Sequence, residues 1–317
     1  MRPAAAASPK RTGIFALLKK EKYREYIAGY LFIAPLIVYF IVFQITPMAM
    51  SLLYSFTEWN MRTKPTFVGL RNYVDLFTNT LFYPMFWPSL WITLKYILMI
   101  TPISLTIPLL LALILNTKVK GQAFFRTAFY IPVVTPGVAQ AALWKWILDP
   151  KFGLLNAFIR NTPLINRLFS THSWLNETRT ALPVLAVMGA WGGLGYNILI
   201  YLAGLKAIPD ELYESAYVDG ANSANTLIHI TLPMLKPTIF FLLVTGLIGN
   251  FQVFDQMYLL TGGGPNDSTL SYVLSLYNHA FRYYEMGIAC SMSYILLSII
   301  LIITLLNFKF VPQTIDD

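Results

Sequence analysis

The chain has 317 residues, 56% of them hydrophobic and only 12% charged, with a formal net charge of +8. A soluble globular domain carries about 25% charged residues, so a water-solvated fold is excluded and the bilayer must be part of the solvent. A nucleic-acid-binding reading fails too, because the positive charge is not gathered into one basic face: seven of the 23 Lys and Arg lie in the first 24 residues, and most others sit between apolar runs.

Taken in chain order, residues 1–27 form a basic segment. The apolar run from Ile27 to Phe56 is far longer than the roughly 7–15 residues of a signal-peptide core, and no small-residue cleavage site follows it. It is expected to remain as a span. Further apolar segments near 89–115, 123–148, 181–205, 236–260 and 286–310 join the first, near 28–55. Each approaches or exceeds the roughly 20 residues that a helix needs to cross. Hydrocarbon cannot satisfy free backbone groups, and the runs are too long and unalternating for barrel strands. The expected fold class is therefore an all-α integral membrane protein of six transmembrane helices, with the spanning domain over 28–310 and a tail over 311–317. Cys290, the single cysteine, leaves no internal disulfide to be made.

Six crossings return both termini to one side. Lys19, Lys20, Lys22 and Arg24 beside the first span assign that side to the cytoplasm. The link with Lys118, Lys120 and Arg126 then also falls inside. Summed over all loops the bias is modest, so orientation rests on the first cluster. Loops near 56–88, 149–180 and 261–285 face outward, and the loop near 206–235 faces inward. Pro35, Pro47, Pro102, Pro108, Pro132 and Pro136 interrupt spans. They are read either as kinks that helix packing tolerates or as breaks lining a moving pathway.

The inner loop carries the most specific signal. Pro209 suits the first turn of a short helix, with Asp210 and Glu211 at the positive end of its dipole. Gly220 suits a left-handed stop, and Asn222 or Ser223 can cap a second helix before Pro233 and Pro237 lead back into the membrane. This stretch resembles the EAA loop of ABC importer permeases: Glu-Ala-Ala, three residues, Gly, nine residues, Ile-x-Leu-Pro. Glu214, Ala216, Gly220, Ile230, Leu232 and Pro233 fall at that spacing, and Ser215 replaces the middle alanine. Arg126–Pro132, Pro136-Gly137-Val138, Trp144-Lys145-Trp146, Phe152–Asn156 and Leu259–Pro265 also resemble carbohydrate permeases of the maltose and glycerol-phosphate type. The last run is similar to the larger maltose permease chain, here in a six-span form without its extra spans and outer domain.

The resemblance implies a type I ABC importer permease in the bacterial cytoplasmic (inner) membrane. It implies pairing with a second permease, two ATPase subunits inside that hold ATP and Mg, and an extracytoplasmic sugar-binding protein. The chain itself would be no enzyme and hold no cofactor. Glu214, Ser215, Ala216, Asp219, Gly220, Ile230, Leu232 and Pro233 would couple it to the ATPase, through small residues that allow close approach and a carboxylate for a basic groove. Trp191, Leu194, Gly195 and Ile198 in the fourth span, with Gly246, Gly249 and Asn250 in the fifth, match positions lining a mid-membrane sugar site. Asn250 offers a donor and an acceptor, and Trp191 a flat face for a sugar ring. Against that, Gly246 and Gly249 could be close-packing contacts and Trp191 a core aromatic.

Other signals are weaker. Gly262-Gly263-Gly264-Pro265 has no Gly-Lys-Ser/Thr after it and reads as a turn, not a phosphate loop. Lys95, Lys145 and Asp255 fall near outward span ends, where snorkelling is the first reading and a role with an anionic saccharide the second. His172, His229 and His279 show no metal spacing. The alternatives in function are the same importer class carrying glycerol-phosphate or an anionic oligosaccharide, and an ion-coupled secondary transporter, which would want inverted repeats and buried mid-bilayer charges.

Overall fold

The computed structural model describes residues 14–117, 120–162 and 173–310. Residues 1–13, the tail 311–317, Lys118 and His172 lie outside the described residues, as do the side chains of Lys19, Lys20 and Arg24. The chain divides at Tyr54/Ser55 into two units.

The described residues of the first unit form a single long helical run. Helix α1 (Ile14–Phe40) passes through a wide π turn (Ile41–Ile45) into α2 (Thr46–Ser55). The wide turn lies just before Pro47, whose ring would clash with the Phe43 carbonyl in a regular helix. Thr46 Oγ1 donates to Ile41 O at 2.8 Å and satisfies one acceptor there. Pro35 is absorbed inside α1 without a break. The apolar side chains are exposed along the run, Phe32 at 88%, as a helix solvated by hydrocarbon requires.

The second unit opens with a two-stranded hairpin, β1 (Thr57–Glu58) against β2 (Thr66–Phe67), and α3 (Arg71–Thr78). It continues through α4 (Phe86–Asn116), α5 (Gln122–Val134), α6 (Gly137–Ile147), α7 (Leu154–Asn161) and α8 (Ala181–Lys206). Then come α9 (Asp210–Val218), α10 (Ser223–Met234), α11 (Lys236–Phe251), α12 (Tyr272–Tyr277) and α13 (Met286–Phe310). The three loops read as outward-facing thus contain short elements of their own.

Among the described residues, four helical stretches are long and apolar enough to cross a membrane: Glu25–Ser55, Phe86–Asn116, Ala181–Lys206 and Met286–Lys309. α10 and α11, bent by 60°, make a fifth candidate as a pair. The expected third span is instead two helices. Thr135 between them is extended (φ −81°, ψ 125°), because the ring of Pro136 disfavours a helical residue before it. Gln140 Nε2 bridges the break, donating to Pro132 O at 2.7 Å and Thr135 O at 3.0 Å. The fifth expected span, placed to residue 260, stops as a regular helix at Phe251. There Gln252 N donates to Gly249 O at 3.1 Å, and Ser271 Oγ donates to Val253 O at 2.8 Å, so the loop satisfies an acceptor the helix abandons.

α4 and α8 run side by side and in the same direction through two stacked cores. One core joins Tyr96, Leu185, Met188, Phe251, Met257 and Met292 near their N-terminal ends. The other joins Ala112, Leu115, Tyr201, Leu205, Ile208 and Leu235 near their C-terminal ends. The hairpin and α3 therefore sit at one end of the unit, and α9 and α10 at the other.

Candidate coupling surface and membrane pathway

α9 begins one residue later than expected. Pro209 is its N-cap (φ −60°, ψ 135°) rather than a first-turn residue, and Asp210 and Glu211 occupy the first turn. Its C-terminus closes with Ala221 N donating to Ala216 O at 2.9 Å and Gly220 N to Tyr217 O at 3.1 Å. Gly220 is left-handed (φ +76°), and a Cβ there would meet nothing within 4 Å. The glycine is required by the backbone, not by space. Asn222 caps α10, its Oδ1 accepting from Asn225 N at 2.8 Å. The two short helices follow the sequence reading.

The loop is anchored on one side and open on the other. Tyr213 OH lies 3.2 Å from the buried Thr231 Oγ1, tying α9 to α10. Tyr213 and Met234 pack against the core around Ile208 and Leu235. Ile230, Leu232 and Pro233 are half-buried on α10, and so is Ala216 on α9. Glu214, Ser215, Asp219 and Gly220 are exposed. Tyr217 and Val218 protrude beside them, each 84% exposed. Sequence reasoning missed this pair; the available signal was two large side chains, one of them purely apolar, just before the glycine of a polar loop.

The proposed pathway residues do not share one environment. Gly195 is closed: a Cβ there would overlap the backbone of Phe129 and Tyr130 on α5. Ile198 is 1% exposed in the core and Leu194 packs against the same core. Trp191 is half-buried edge-to-face on Trp144, with centroids 5.7 Å apart. On α11, Gly246 and Gly249 face open space, with nothing within 4 Å of a built Cβ, and Asn250 is half-buried beside them. The glycines that matched as a set thus divide into a packing glycine on α8 and two open ones on α11. Trp144, quoted from the sequence only as part of a family motif and not as a pathway residue, has its Nε1 buried without a hydrogen-bond partner.

The charged residues noted in the spans, Lys95, Lys145 and Asp255, are all exposed. Among the described residues, no group of three His, Cys, Asp or Glu side chains could hold a metal ion. His229 Nδ1 lies 3.0 Å from Asn225 O, and His279 Nδ1 lies 2.7 Å from Glu285 Oε2. Gly262 and Gly263 are left-handed, and Thr269 Oγ1 donates to Gly264 O at 2.6 Å, so this run is a pinned turn.

Residues 104–311 match the family model described as the binding-protein-dependent transport system inner membrane component. The chain belongs to this family. It is 39% identical over 301 residues to the probable ABC transporter permease protein YesP of Bacillus subtilis (strain 168), covering 94% of each chain. It is 35% identical over 289 residues to the arabinooligosaccharides transport system permease protein AraP of the same organism, covering 90% of this chain and 89% of AraP. Among solved structures, a chain of a bacterial alginate ABC transporter in complex with an alginate pentasaccharide-bound periplasmic protein superposes with a TM-score of 0.74 at 25% identity, over 91% of this chain and 94% of that one. The helical architecture and the permease class agree with the sequence-based expectation.

Proposed function

We propose that this chain is one transmembrane permease subunit of an ATP-driven, binding-protein-dependent sugar importer of the bacterial cytoplasmic membrane. It would form the path with a second permease and receive work from two ATPase subunits that hold ATP and Mg. The observation that carries the reading is the build of α9: anchored through Tyr213 and Leu235, it displays Glu214, Ser215, Tyr217 and Val218 outward. Saccharide as cargo is supported by the name of AraP, and a soluble binding protein by the periplasmic partner of the alginate transporter.

Six crossings follow if α5 with α6 form the third and the bent α10–α11 pair the fifth. Lys22 and its basic neighbours then place both termini and α9 in the cytoplasm. A push on α9 passes through the Tyr213–Thr231 contact to α10 and on to α11, which carries Gly246, Gly249 and Asn250. The open glycines leave room for a ring beside the Asn250 amide.

Changing Gly220 to Arg, or Glu214 to Lys, is expected to abolish sugar uptake and weaken ATPase co-purification while the subunit still inserts. Normal uptake by either variant would end the coupling role. An Asn250→Ala variant is expected to raise the KM for uptake; unchanged affinity and rate would remove Asn250 from the site.

A further inference from the structure

At the end of the unit opposite α9, a cavity of about 480 Å³ lies between the N-terminal parts of α4 and α8 and the turn after Pro265. The transport reading does not use it. Its rim carries Lys95, Arg179, Asp267 and Ser268, and Met99 and Pro183 line its apolar part.

We propose that this cavity holds the headgroup of an anionic phospholipid from the leaflet away from the coupling loop. Lys95 and Arg179 against Asp267 leave one net positive charge. The planar guanidinium fork suits a phosphate diester. Ser268 lines the cavity too, and its Oγ has no hydrogen-bond partner in the chain. Depth is fixed by Trp91, 55% exposed, with Lys95 Nζ 5.6 Å from its ring centroid. A Trp beside a Lys at a helix end marks the membrane–water interface.

Below the rim the surface turns apolar. Leu98 and Val187, exposed at 69% and 48%, continue toward mid-membrane on the same two helices. An acyl chain can follow that path, whereas a soluble anion gains nothing from it. Cations on the non-cytoplasmic side also run against the usual bias of membrane proteins, which a bound phosphate would offset. The choice of leaflet rests on the orientation proposed above; the lipid site itself does not.

The test is native mass spectrometry of the assembled importer taken from nanodiscs of equal phosphatidylglycerol and phosphatidylcholine. The unaltered importer is expected to retain phosphatidylglycerol preferentially. Lys95→Gln and Arg179→Gln should each lower that preference roughly fivefold, while Lys145→Gln, an exposed lysine outside the cavity, leaves it unchanged. No preference in the unaltered importer, or the same preference in the double variant, would overturn the site, and an equal loss in Lys145→Gln would reduce it to general surface charge. A second arm adds inorganic phosphate or galacturonate to importer in phosphatidylcholine alone. Binding of either that depends on Lys95 and Arg179 would reassign the cavity to a soluble anion. The retained-lipid ratio needs no transport activity, so its failure is separable from failure of the importer reading.

Discussion

At the end that holds β1, β2 and α3, the buried polar side chains around Ser55 are bonded within the chain. Asn72 Nδ2 donates to Ser55 O at 2.8 Å and Thr57 O at 2.9 Å, Tyr73 OH to Ser55 Oγ at 2.8 Å, and Ser291 Oγ to Ser55 O at 2.9 Å. At the end that holds α9, the carboxylate of Glu214 and the side chains of Tyr217 and Val218 project outward. Both ends carry a tightly constrained glycine, for different reasons. A Cβ on Gly287 would overlap Thr57 O, so this glycine lets two backbones meet. Gly220 has free space around it and is constrained only by its left-handed φ. Around Ser55 the first end is closed by its own contacts. The second presents an exposed surface on an anchored helix, which is what a docking element needs.

Substitutions at the two ends are therefore expected to fail in different assays. The largest effect is expected for Gly220→Arg, with uptake lost by more than about a hundredfold, because a misdirected coupling helix removes the productive contact entirely. Its thermal stability should fall little, by about 1–2 kcal/mol for one residue forced left-handed. Gly287→Ala should cost about 1–3 kcal/mol of stability through overpacking, read as a lower melting temperature in detergent. Asn72→Ala is expected to cost about 1–3 kcal/mol by removing its two hydrogen bonds to backbone carbonyls, with the ATPase still co-purifying. Gly246→Ala is the smallest, within about 0.5 kcal/mol of stability, because its Cβ would enter open space. A large stability loss there would show that α11 packs more tightly than its surroundings indicate. Equal loss of ATPase association in Asn72→Ala and Gly220→Arg would erase the distinction between the ends.

Much of the architecture was legible from hydropathy, because a helix in hydrocarbon needs about 20 apolar residues whatever its neighbours. Breaks were not. Pro136 was visible, yet whether a proline kinks a helix or divides it depends on whether a side chain such as Gln140 can satisfy the freed carbonyls. Apolar content alone carried the fifth span past Phe251, since Val253, Phe254 and Met257–Leu260 remain apolar after the regular helix has ended. The EAA loop was legible because its glycine and capping residues act locally: Gly220 and Asn222 behave as their types dictate. The proposed pathway residues were only half legible. Gly195 and Gly249 are the same letter on neighbouring spans, and only tertiary packing decides which of them meets a backbone and which meets space.

The most direct measurement is site-directed cross-linking from α9. With Cys290 replaced by alanine, a Ser215→Cys chain in the assembled importer is expected to cross-link to an ATPase subunit, to a degree that changes when ATP is added. A Thr63→Cys chain, at the other end, should not. Labelling of Ser215→Cys from outside intact cells by a membrane-impermeant thiol reagent, or absence of any ATPase cross-link, would contradict the account.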